Sequence, residues 1–94
     1  MSVLTTIQAN IDVLKNSGNA NLVVISDWIT TIAQNYDAGT FSPHPDGNLT
    51  ATNEAIANAV IEKLLIDNEA EIDAAGPTVI AAITDIETTI KSLS

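Results

Sequence analysis

Leu22-Val23-Val24-Ile25-Ser26-Asp27-Trp28-Ile29-Thr30-Thr31-Ile32 can be read in two ways. Val23 to Ile25 carries the β-branched character of a strand. Against it, Leu22, Ile25, Ile29, Ile32 and then Tyr36 recur at intervals of three and four, as one stripe of a helix demands. The helical rhythm runs well past the β-branched residues, so it decides the reading. The segment is a helix over about 20–36, capped by Asn19 or Asn21 and leaving through Asp37-Ala38-Gly39.

The same rhythm recurs on either side. Leu4, Ile7, Ile11 and Leu14 give a first helix over about 2–16, with Ser2 as its cap and Gly18 where the chain turns. Ile56, Val60, Ile61, Leu64, Leu65 and Ile72 give a third over about 51–75 whose apolar face is broad enough for more than one neighbour; Asp67-Asn68 marks a kink or a break in it. Gly76-Pro77 then punctuates the chain, with Pro suited to the first position of a helix. Val79, Ile83, Ile86, Ile90 and Leu93 predict a fourth helix over about 77–93. Short connections everywhere except after the second helix predict an all-α, small four-helix bundle of two helical hairpins in a single domain over 1–94, with a long crossover loop at 37–50.

Composition narrows the function classes. At 94 residues with one Trp, one Tyr and one Phe, the core is thin and must be built from Ile, Leu, Val and Ala. The absence of Cys removes disulfides, thiolate metal sites and a Cys nucleophile. The first residues lack the basic and apolar regions of a classical signal peptide, and the longest aliphatic run, Leu22 to Ile25, is far short of a membrane span. The expected location is a virion or the cytoplasm. Twelve acids against three Lys and no Arg give a net charge of -9, which argues against direct nucleic-acid binding because phosphate backbones require cations.

The crossover concentrates unusual residues, with the one His, the one Phe and two of the three Pro in Phe41-Ser-Pro-His-Pro-Asp-Gly-Asn-Leu-Thr50. Asp37, His44, Asp46 and Asn48 invite a metal reading. Zinc would want more His or Cys. Asp46, Asn48 and Thr50 alternate like the opening of a calcium loop, but Ala51 stands where the tight-turn Gly belongs and Ala57 where the bidentate Glu belongs. The simpler reading is a stiff connector: Pro43 and Pro45 favour extended backbone, Asp46-Gly47 turns, and Asn48 or Thr50 caps the third helix. A lone His without a nucleophile or phosphate loop gives no triad and no nucleotide signature, so no enzyme, cofactor or metal is expected.

Three features exceed what a bundle requires. Glu69, Glu71 and Asp73 crowd the C-terminal turns of the predicted third helix, where carboxylates face the negative end of its dipole. The outward positions of the other helices carry Thr, Asn and Gln rather than charges, and such surface is covered by a partner at lower desolvation cost. Val24 and Trp28, four apart, widen one edge of the second helix, and Trp28 is the expected anchor. Val24, Trp28, Phe41, His44, Glu69, Glu71 and Asp73 are therefore the candidate protein-interface residues.

The Thr-, Asn-, Ala- and Ile-rich, Cys-free, Lys-poor character of the chain resembles accessory proteins of bacteriophage particles, such as cement, decoration or connector components. That resemblance implies a non-enzymatic structural subunit whose partners are other proteins or further copies of itself. The alternative expectation is an acidic inhibitor or adaptor that covers the basic surface of a nucleic-acid-binding enzyme.

Overall fold

A computed structural model of the chain describes residues 2–39 and 53–92. These residues form α1 (Val3–Lys15), α2 (Ala20–Ala38), α3 (Asn53–Asp67), α4 (Glu69–Ala74) and α5 (Pro77–Lys91), with no strand among them. The fold is all-α.

Each predicted stripe faces the core. Ile7, Ile11 and Leu14 of α1, Leu22, Ile25, Ile29 and Ile32 of α2, and Val79, Ile83, Ile86 and Ile90 of α5 are all buried. In α3 the buried positions are Ile56, Ala57 and Ile61, while Val60, Leu64 and Leu65 pack partly covered against them. Small residues join the core at Ala33, Ala57, Ala82 and Ser26. Ser26 is fully buried because its hydroxyl donates to the Val23 carbonyl at 2.6 Å, which removes the cost of an unpaired polar group. The packing closes into a ring: α1 lies against α2 and α5, α3 against α2 and α5, and α4 touches α2, α3 and α5.

Two differences from the sequence reading matter. The second helix continues to Ala38 and is closed by Gly39 in the left-handed region, so Asp37 is helical instead of belonging to the crossover. The third predicted helix is two helices. Asn68 interrupts it: its side-chain amide donates to the Leu64 carbonyl at 2.8 Å, competing for the acceptor that its own backbone N–H also uses at 3.2 Å. At the next boundary Gly76 has φ 98° and ψ 171°, a conformation essentially reserved for glycine, and Pro77 opens α5. Of the crossover, only Asp37 to Gly39 falls within the described residues; Phe41, His44, the imagined cation ligands Asp46 and Asn48, and Leu93 lie outside them.

Candidate functional site

Along α2 the buried positions leave Val24 and Trp28 on a flank, one turn apart. Both are more than half exposed, Val24 at 54% and Trp28 at 57%. They do not stand on open convex surface. Asn21, Val24 and Trp28 form one wall of a groove of about 450 Å³, with buried Ile25 at its base. Leu64 and Asp67 of α3, Asn68 at the break, and Ala70 and Glu71 of α4 form the other wall. The groove lies where the α3–α4 break passes α2, and Asn68 and Ala70 line it there. On its other side Trp28 borders a shallower recess with Val24, Asp27 and Thr31.

The acids attributed above to the end of a long helix require a correction. Since a new helix starts after Asn68, Glu69 and Glu71 occupy the first turn of α4, the end where carboxylates are stabilised. Glu71 has a further task. The side-chain amides of Asn19 and Asn21 donate to its Oε1 at 3.0 and 3.1 Å, tying α4 to the start of α2. The Asn21 bond, then the Asn19 bond, hold its carboxyl below the ordinary glutamate value, against a smaller opposing desolvation. Asn19 meanwhile accepts from the Asn21 and Leu22 amides as the N-cap of α2. Asp73 is exposed and lies outside the groove, as does Glu69.

Asp37 shows the same device at the other end of the molecule. Its carboxylate accepts from the backbone N–H groups of Val3 and Leu4 at 2.8 and 3.1 Å and from the Ser2 hydroxyl at 2.7 Å. Ser2 in turn accepts from the Thr5 amide at 3.2 Å. The free amides of the first turn of α1 are thus shared between its own cap and a residue at the end of α2. Burial opposes the charge on Asp37, but the Ser2, Val3 and Leu4 hydrogen bonds outweigh it and hold the carboxyl below the ordinary aspartate value. These contacts give Asp37 a structural role. No cluster of three or more His, Cys, Asp or Glu suited to a metal ion occurs among the described residues. None of their helices is long and apolar enough to cross a membrane.

Of the residues singled out in the sequence, the structure therefore brings Val24, Trp28 and Glu71 to one groove and leaves Glu69 and Asp73 outside it. Sequence reasoning missed Asn21, Leu64 and Ala70 as groove residues. The suspected break at Asn68 was the one signal that could have located the second wall. Compared with known proteins, the chain matches no family model, no curated protein and no solved structure.

Proposed function

We propose that this chain is a non-enzymatic structural or interaction subunit that takes its place in a larger protein assembly through the Val24–Trp28 edge of α2. The observation that carries the reading is the exposure of Trp28 beside a groove: a large aromatic body with one polar tip, left more than half uncovered by its own fold, is a residue type enriched among interface anchors. The surrounding surface suits coverage. The hydroxyls of Thr31, beside Trp28, and of Thr30, elsewhere on α2, already donate to carbonyls one turn back in the helix, at 3.0 and 2.9 Å. A partner that excludes water from them strands no hydroxyl donor. An accessory position in a bacteriophage particle, as a cement, decoration or connector component, is the assembly that the composition resembles.

The acidic-inhibitor alternative relied on a carboxylate face formed by Glu69, Glu71 and Asp73. Glu71 is already engaged by two asparagines, which weakens that face as a free landing site. The test is the native mass of the chain isolated with whatever it binds in its source. A species well above 9.8 kDa that is lost on Trp28→Ala is expected. Recovery of the chain from its source only as a free 9.8 kDa species, or an assembly indifferent to Trp28→Ala, refutes the reading.

A further inference from the structure

The groove beside Trp28 has a chemical character that selects among partners. Its base and part of both walls are apolar, through Ile25, Val24, Trp28 and Leu64. Carboxylates stand around that centre: Asp67 and Glu71 on the far wall, and Asp27 in the recess on the other side of Trp28. No Lys lines either depression among the described residues. Lys63 reaches Asp67 at 3.0 Å, but the two side chains are 68% and 55% exposed, so the pair is screened by solvent and easily exchanged for another cation.

A second copy of the chain is a poor occupant. Each copy brings a net charge of -9, and a two-fold contact through this face would bring like-charged surfaces together, with Asp27, Asp67 and Glu71 near those of the other copy. The wall from Asn21 to Trp28 covers eight residues, about 10 Å at the helical rise, which matches two turns of a docked helix.

We infer that the groove between α2 and the α3–α4 wall receives a basic amphipathic helix of a different protein, with an apolar side chain against Val24 and Trp28 and Lys or Arg side chains reaching Asp27 and Asp67. This inference rests on the reading of the Val24–Trp28 edge as a docking surface. It adds the charge and shape of what docks.

Trp28 is the single Trp of the chain and reports directly on occupancy through its emission. The probe is a helical peptide of about two to four turns built from Leu and Lys, with Leu at positions i, i+3, i+4 and i+7. Its counterpart carries Glu in place of every Lys. The Leu/Lys peptide is expected to shift Trp28 emission to the blue in a saturable way and to weaken about tenfold between low and roughly 0.3 M salt, while the Leu/Glu peptide leaves the emission unchanged. Asp27→Asn with Asp67→Asn is expected to weaken binding about tenfold, whereas Asp12→Asn with Asp85→Asn, an equal loss of charge on α1 and α5, changes it by less than about twofold. Equal weakening by both pairs would reduce the effect to bulk charge and overturn the inference. Tight binding of the Leu/Glu peptide would overturn it as well, while leaving Trp28 as an assembly anchor. An assembly indifferent to Trp28→Ala removes the docking surface itself, and this inference with it.

Discussion

Asp37 illustrates how one residue can carry more of the fold than its surroundings suggest. It sits in the last turn of α2, where a carboxylate faces the unfavourable end of its own helix dipole. What offsets that is the start of α1, whose Val3 and Leu4 amides point at it. Asp37→Ala is expected to destabilise the protein by about 1 kcal/mol at neutral pH, the usual worth of an N-terminal cap, and somewhat less because Asp37 is exposed and its contacts are screened. The pH dependence follows from the direction of the shift. The folded carboxyl holds its proton less tightly than in the unfolded chain, so its contribution is complete above the unfolded aspartate value and disappears as pH falls through the lower folded value. Urea unfolding of the wild type and of Asp37→Ala should therefore differ at pH 7 and converge in strong acid. A gap of the same size at both would mean that the carboxylate's charge is not what stabilises α1.

At the scale of elements, the breaks decide more than the helices do. Gly76→Ala is expected to cost about 1–3 kcal/mol by chemical denaturation, through its backbone, because beyond its own chain neighbours no atom lies within 4 Å of where the new Cβ would stand. A wild-type midpoint in Gly76→Ala would show that the α4–α5 junction relaxes freely. Asn68→Ala removes the side-chain bond to the Leu64 carbonyl and is expected to merge α3 with α4, raising hydrogen-exchange protection of the amides just after position 68 and releasing Glu71 from Asn19 and Asn21. Unchanged exchange there would place the cause of the break elsewhere. The helical stripes were legible in the sequence because burial in a helix repeats locally, every three or four residues, and Ile7, Ile11, Ile29, Ile86 and Ile90 obey that period. The roles of Asp37 and Glu71 were not, since their partners lie more than 30 and about 50 positions away. Reading one long helix across Asn68 also inverted the apparent electrostatics of Glu69 and Glu71. Half of the groove was equally hidden: Val24 and Trp28 stand out on a helical wheel, but the opposite wall exists only once α3 breaks and passes α2.

For the whole molecule the sharpest comparison is between adjacent residues of α2. Ile29 is completely buried and Trp28 is 57% exposed, so the fold uses one and barely uses the other. Ile29→Ala is expected to cost about 2–5 kcal/mol, the range for truncating a buried aliphatic side chain. In a domain of this size each kcal/mol corresponds to a melting-temperature change of about 4–8 °C. Trp28→Ser should move the melting temperature by a few degrees at most, because the ring's main contacts in the isolated chain are along the groove edge. The ordering should invert when the same two variants are compared for incorporation into the assembly. Ile29→Ala, as long as it stays folded, keeps the Val24–Trp28 edge in place and should still be incorporated; Trp28→Ser should be folded and excluded. Thermal melting and native mass measured on both variants test this together. If Trp28→Ser melts as low as Ile29→Ala, Trp28 belongs to the core, and its exposure to solvent would have no partner to explain.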